Sequence, residues 1–140
     1  MKNYWRKRMI CTVCALMVVS QIGIISQANN YKDSSYSFYY NGDGSDVSTS
    51  ARAKKDKSAS YVNNNGSNTT TISVAVAGSK NGGHTAALSG YYNVKKGNRK
   101  YMKNKVYQKG YRQACLLMST ANHSKHKMQG KWSPDNCSGY

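Results

Sequence analysis

The fold class follows from one stretch, Ser58-Ala-Ser-Tyr-Val-Asn-Asn-Asn-Gly-Ser-Asn-Thr-Thr-Thr-Ile-Ser-Val-Ala-Val-Ala77. In its second half Ile72, Val74 and Val76 alternate with small or polar residues, and a period of two is typical of a half-buried strand. The Asn- and Gly-rich middle of the stretch predicts a turn between two strands. We therefore expect a β-hairpin here.

Similar short strands, separated by Gly- and Asn-rich turns, recur along the chain. The predicted strands are Tyr36–Tyr40, Ser58–Val62, Thr69–Ala77, His84–Leu88, Tyr91–Lys95, Tyr101–Tyr107 and Tyr111–Ser119. Such spacing is typical of an antiparallel sandwich or barrel, and no repeat or linker divides the chain. We predict a single all-β domain over residues 29–140, with residues 29–35 disordered and Trp132 anchored in the core.

The N-terminal segment has the composition of a secretory signal peptide. A basic start is followed by the apolar run Met9–Val19 and by Ser26-Gln27-Ala28, which places small residues before a cleavage site. The apolar run is shorter than the roughly 20 residues of a spanning helix, which favours a signal peptide over a membrane anchor. We predict a helical signal peptide over residues 1–28 and a secreted protein, free or associated with the cell surface.

Export changes the cysteine count. Two of the four cysteines fall in the predicted signal peptide, and Cys115 and Cys137 remain. A cysteine pair in an exported protein usually forms a disulfide, which for a loop of this length stabilises by roughly 3 kcal/mol. The alternative is two free thiols. Zinc binding is disfavoured, because two cysteines without further ligands make a poor zinc site.

The charge is strongly basic and unevenly distributed. The chain has 21 Lys and Arg against five Asp, a formal net charge of +16. Four of the basic residues lie in residues 1–28, so residues 29–140 keep 17 against the same five Asp, a net charge of +12. No acidic residue lies between Lys57 and Asp135.

A basic and aromatic surface is predicted from the second half of the chain. Strand alternation would place Tyr101, Lys103, Lys105 and Tyr107 on one face. The predicted envelope-binding residues are Lys95, Lys96, Arg99, Lys100, Tyr101, Lys103, Lys105, Tyr107 and Arg112. Lysine outnumbers arginine, which suits diffuse attraction to anionic wall polymers or a membrane surface rather than specific nucleic-acid recognition. The alternative is charge that only keeps the protein soluble.

Few residues could support catalysis or metal binding. His123 and His126 could share a metal, but flanking lysines would repel the ion, and an exposed polar loop is the favoured interpretation. Asp43 and Asp46 lie in a turn, but the calcium-loop pattern is not met and no Glu exists to close it. We predict no enzyme activity, no cofactor and no metal site.

Four short segments resemble motifs of a known protein family. Asn104-Lys-Val-Tyr-Gln-Lys-Gly-Tyr111 and Gly130-Lys-Trp-Ser-Pro-Asp135, with Ala51-Arg-Ala-Lys54 and Ser60-Tyr-Val62 before them, resemble a family of small secreted Gram-positive bacterial proteins of unknown function. The resemblance covers about Ala51 to Asp135. It implies secretion and one β-rich domain, and it carries no catalytic residues.

These observations lead to a functional hypothesis. We expect a secreted cationic protein that acts at the anionic bacterial cell envelope and is bacteriocin-like. The alternative is a non-toxic binding or structural module of the cell surface, held by wall polymers or by a protein partner that the sequence does not identify.

Overall fold

The structure, a computed structural model, describes residues 30–66, 71–120 and 123–136. Within these ranges it contains ten strands. They are β1 Ser34–Tyr40, β2 Val47–Ser48, β3 Arg52–Ala53, β4 Ser60–Asn63, β5 Thr71–Lys80, β6 Gly83–Ala87, β7 Tyr92–Lys95, β8 Arg99–Met102, β9 Gln113–Thr120 and β10 His126–Ser133. None of the described residues forms a helix long and apolar enough to cross a membrane. The predicted signal peptide, residues 1–28, and Cys137 lie outside the described ranges.

The strands form two antiparallel sheets. One sheet has the order β1, β10, β4, β8. The other is built on the long strands β9 and β5, with β2 and β3 along the free side of β9 and β6 and β7 along the free side of β5. The predicted all-β class, an antiparallel sandwich or barrel-like domain, is confirmed.

The core lies between the sheets and follows the strand period of two. The largest fully buried side chains include Tyr40, Trp132, Met128, Leu116 and Ile72. Trp132 is only 2% exposed, so its predicted place in the core is confirmed. Aromatic and methionine side chains therefore supply much of the buried area that the few leucines and isoleucines cannot.

The predicted hairpin over residues 58–77 is wrong. Its two strands form as β4 and β5, but β4 pairs with β10 and β8, whereas β5 pairs with β9, β7 and β6. The Asn-rich segment thus joins one sheet to the other. Val62 of β4 and Ile72 of β5 are both fully buried in the same core, so the two strands contribute to it from different sheets.

The hairpin with a tight turn lies one strand later. β5 and β6 are joined by Asn81 and Gly82, both with positive φ (53° and 79°), and Lys80 pairs with Gly83. Two consecutive positive φ angles are characteristic of the two-residue turns that fit the twist of a hairpin. The short strand predicted over His84–Leu88 is therefore confirmed, with bounds one residue earlier.

Other predicted boundaries differ from the structure. β8 ends at Met102 rather than Tyr107, although side chains continue to alternate between exposed and buried up to Val106. Ser34 and Ser35 lie in β1, paired with Trp132 and Lys131, so these two residues of the segment expected to be disordered are in a sheet. The inner strand β10 was not predicted, because Lys and Gln occupy its outward positions and hide the period of Met128, Gly130 and Trp132.

Lys54 and Asp135 form a fully buried ion pair. Lys54 Nζ lies 2.8 Å from Asp135 Oδ1, and neither side chain is exposed to solvent. The same ammonium donates to the carbonyl oxygens of Ser58 and Pro134, at 2.5 and 2.8 Å. A buried charge is tolerated only when it is paired and hydrogen-bonded, and here three acceptors surround the cation.

The Asp135 carboxylate extends this contact to the start of the described chain. Its Oδ2 accepts hydrogen bonds from the backbone N–H groups of Lys55 and Asn30, at 3.0 and 3.2 Å. The Arg52 guanidinium donates to the Trp132 carbonyl and to Asn30 Oδ1, both at 3.0 Å, and lies 5.6 Å from the centre of the indole ring. We call Lys54, Asp135 and Arg52 with these partners the terminal latch.

The segment that begins at Asn104 is also connected to the latch. Asn104 Nδ2 donates to Ser60 Oγ at 3.1 Å, and the Ser60 hydroxyl donates to the Pro134 carbonyl at 2.8 Å. Asn104 Oδ1 accepts the backbone N–H of Val106 at 3.3 Å. The motifs that carried the family resemblance therefore meet in space, and these contacts are structural.

Replacing Lys54 is expected to destabilise the protein strongly. In Lys54→Met the Asp135 carboxylate stays buried without its cation, which should lower the free energy of unfolding by about 3–5 kcal/mol. Urea denaturation followed by Trp132 fluorescence measures this. The control is Lys55→Met at the exposed neighbouring position, with an expected change within about 0.5 kcal/mol. Equal small effects of both changes would show that the latch is dispensable.

Cys115 lies in a second, smaller cluster on the other face of β9 and β5. It packs with Ala77 and Leu117, is 2% exposed and forms no disulfide with another residue that the structure describes. Burial raises the pKa of this thiol to about 11. Because Cys137 lies outside the described residues, the Cys115–Cys137 disulfide stays a prediction, and intact mass before and after reduction tests it.

The reduced protein should protect the Cys115 thiol. The folded-state pKa is raised above the unfolded value of 9.0, so protonation stabilises the fold at lower pH, and that contribution is lost as pH rises from 9 to about 11. In a Cys137→Ser variant, alkylation of Cys115 should be slow at pH 8 and accelerate toward pH 11. Fast alkylation at pH 8 in the absence of denaturant would contradict the burial, and Cys115→Ser identifies the reacting cysteine.

Candidate functional site

Six predicted cations follow one side of the sandwich. β8 is the edge strand of the four-stranded sheet, and β7 lies along one edge of the other. The connection between them, and the segment after β8 that bonds back to Leu88 through the Lys105 N–H at 2.9 Å, cover the side where these edges meet. We call the exposed cations of this side the basic ridge: Lys95, Lys96, Arg99, Lys100, Lys103 and Lys105.

The sheet geometry sends neighbouring ridge side chains in different directions. Val62 and Lys100 are opposite each other in the β4–β8 register, and Lys100 Nζ lies 5.7 Å from the centre of the Tyr92 ring. Tyr101 points to the opposite side of β8 and contacts Tyr61, with ring centres 5.4 Å apart. The nine predicted residues therefore surround an edge rather than share one flat face.

Lys103 and Lys105 border a groove beside the edge. Together with Asn104, Gln108 and residues 87–90 they line a cavity of about 580 Å³. Lys103 and Lys105 are exposed, whereas Asn104 is buried and holds Ser60. This part of the ridge presents two free ammonium groups around a concave surface.

Tyr107 and Arg112 form a separate pair beyond the ridge. The Arg112 guanidinium lies 4.1 Å from the centre of the Tyr107 ring and donates to the carbonyl oxygens of Tyr107 and Tyr111, at 3.2 and 3.3 Å. These contacts hold the turn before β9 and cover part of the Tyr107 ring. Arg112 also lines a cavity of about 650 Å³ with Lys80 and Lys109. Lys80 and Lys109 were not among the predicted binding residues, because they are far apart in sequence and meet only through the β5–β6 turn.

The ridge cations have no carboxylate partner in the described part of the chain. Both ion pairs found there involve Lys54, with Asp135 at 2.8 Å and with Asp56 at 4.0 Å. Asp43 accepts hydrogen bonds from Ser45, which hold the pKa of its carboxyl below the ordinary value. The positive charge of the ridge is therefore not neutralised by the protein.

Asp46, the other carboxylate of the turn that contains Asp43, accepts a hydrogen bond from a tyrosine. The Tyr91 hydroxyl donates to Asp46 Oδ2, and this bond raises the pKa of Tyr91 to about 12. The two turn carboxylates considered for calcium thus serve different hydrogen bonds. No group of three His, Cys, Asp or Glu that could hold a metal occurs among residues 30–66, 71–120 and 123–136.

The histidines are scattered. His123 has a positive φ of 51°, and its Nδ1 lies 3.1 Å from the Tyr40 hydroxyl. His126 begins β10 opposite Tyr40, and His84 Nδ1 lies 3.1 Å from the carbonyl oxygen of its neighbour Thr85. His123 lies in an exposed loop, as expected from the sequence, whereas His126 lies in β10 and not in that loop.

Comparison with known proteins gives a family and no further relative. Residues 24–136 match a family described as Protein of unknown function (DUF2712), and this range contains every motif of the terminal latch. Neither a curated protein nor a solved structure matches the chain. The resemblance to a family of unknown function is confirmed, whereas secretion and a Gram-positive source stay predictions. With most of its length matched, the chain belongs to this uncharacterised family.

Proposed function

We propose that this protein is secreted and acts by binding the anionic bacterial cell envelope, without catalysing a reaction. The observation that carries the proposal is the basic ridge: six exposed cations on one side of the sandwich, with no ion pair to a described carboxylate. Cations in this state attract a polyanion over several ångströms, and their attraction weakens with salt. The partners would be anionic wall polymers or lipid headgroups.

The chemistry of the ridge favours diffuse attraction. Five of its six cations are lysines, which act as flexible point charges, and only Arg99 could bind a phosphate in a bidentate manner. A repeated anion such as a wall polymer presents many equivalent charges to such a surface. The ridge would therefore contribute attraction, and the specificity of the interaction would come from another part of the protein.

The same charges have a second possible role in the fold. β8 is an edge strand, and exposed cations on an edge strand oppose pairing with another chain. If this were their whole role, neutral variants would aggregate but retain envelope binding. Size-exclusion chromatography of each variant therefore accompanies every binding measurement.

Neutralising the ridge should abolish most binding. Each lysine near an anionic surface contributes about 1 kcal/mol, so Lys96→Gln, Lys103→Gln and Lys105→Gln together should weaken binding to anionic vesicles about 100-fold at low salt. A matched control, Lys57→Gln, Lys80→Gln and Lys125→Gln, removes three exposed cations outside the ridge. Vesicle sedimentation at low and high salt measures both. Equal losses in the two variants would show that net charge matters and the ridge does not.

Viability separates the two forms of the proposal. A bacteriocin-like action predicts that purified protein kills sensitive Gram-positive cells, and that the ridge variant kills less than the control variant. The alternative, a non-toxic surface module, predicts salt-sensitive retention on cell walls with full viability. Protein that neither binds walls at low salt nor affects viability would overturn both.

A further inference from the structure

A small cleft opens on the outer face of the four-stranded sheet. Tyr31, Tyr61 and Tyr101 line it, and its volume is about 140 Å³. Tyr31 is 57% exposed and Tyr101 38% exposed, whereas Tyr61 is half-buried between its neighbours. The rings come from three distant parts of the chain, and the β4–β8 register places Tyr61 directly opposite Tyr101.

The cleft carries charges of both signs beside these rings. Asp33 and Arg99 both line it, and no ion pair joins them. Burial raises the pKa of Tyr61, the Asp33 carboxylate raises it further, and Arg99 opposes this shift, so both charges act on the ring. A cationic ligand would face Arg99 and an anionic ligand would face Asp33. A neutral ligand that both donates and accepts hydrogen bonds suits the pair.

We propose that this tyrosine cleft, Tyr31, Asp33, Tyr61, Arg99 and Tyr101, binds one neutral sugar ring of a glycan. The electron-rich faces of tyrosine rings attract the C–H bonds of a pyranose. The carboxylate accepts from sugar hydroxyls and the guanidinium donates to them. The volume accommodates a single ring, so further sugars would lie along the sheet.

The adjoining sheet face suits a longer glycan. In the register of the strands, Ser35 lies opposite Lys131, Lys131 opposite Asn63 and Asn63 opposite Arg99, which forms one row leading away from the cleft. All four side chains carry groups that can hydrogen-bond, and none is apolar. This site differs from the basic ridge in chemistry, shares only Arg99 with it, and does not depend on the proposed envelope function.

The test uses uncharged sugars and a matched tyrosine. The full domain is titrated with N-acetylglucosamine and glucose tetramers in about 1 M salt, where the Debye length falls to about 3 Å and the ridge is screened. Chemical-shift changes should cluster at Tyr31, Tyr61 and Tyr101. Tyr31→Ala should weaken binding roughly tenfold, equivalent to about 1.4 kcal/mol. The control is Tyr39→Ala, which removes a 66% exposed ring from β1 outside the cleft.

The outcomes discriminate between explanations. Binding of either tetramer that Tyr31→Ala weakens and Tyr39→Ala does not would support the cleft. No shift with either sugar at millimolar concentration, or equal losses in both variants, would overturn it. Asp33→Asn provides a second measurement at an exposed position. If both single variants, Asp33→Asn and Tyr31→Ala, keep full affinity, the site is also rejected. Failure here leaves salt-sensitive binding by the ridge unaffected.

Discussion

The buried Lys54–Asp135 pair is the constraint on which the rest of the structure depends. Its charges lie where no water reaches them, so the carbonyls and amides around them must stay in place. Those groups belong to the first described residue, to the connection between β3 and β4, and to the end of β10. One ion pair thus fixes both ends of the described chain against one corner of the sandwich. The segments on which the family resemblance rested are far apart in sequence, and they meet at this corner through contacts that support the fold.

Local sequence patterns predicted where most strands lie, but they did not predict which strands pair with each other. The alternation of Ile72, Val74 and Val76 is a property of consecutive residues, so β5 was predicted close to its place. Which strand lies beside it depends on core burial across the whole chain, and therefore β4 and β5 were wrongly paired with each other. β10 was missed for a related reason: its core positions include Gly130, where an added Cβ would lie 2.0 Å from the Asn63 carbonyl oxygen. A glycine needed for this close approach leaves no hydrophobic signal.

The two proposed surfaces also differ in how far the sequence predicted them. Unpaired lysines are exposed almost wherever they occur, so the basic ridge was predicted from composition and charge distribution alone. Its division around an edge strand, and the separate Tyr107–Arg112 pair, required the structure. No local sequence pattern predicted the tyrosine cleft. Tyr31, Tyr61 and Tyr101 approach one another only because the β4–β8 register and the terminal latch bring three distant segments together.

The basic ridge and the tyrosine cleft would contribute forces of different range to one binding event. Coulomb attraction from the ridge reaches about 8 Å at physiological ionic strength and mainly raises the rate of encounter. Contact with a neutral ring acts only at van der Waals distance, is insensitive to salt, and mainly slows dissociation. Arg99 borders both surfaces, so a polymer that carries anionic groups near neutral sugars could engage both at once. Such a protein would approach its target through Coulomb attraction and stay bound through van der Waals contact with the sugar ring.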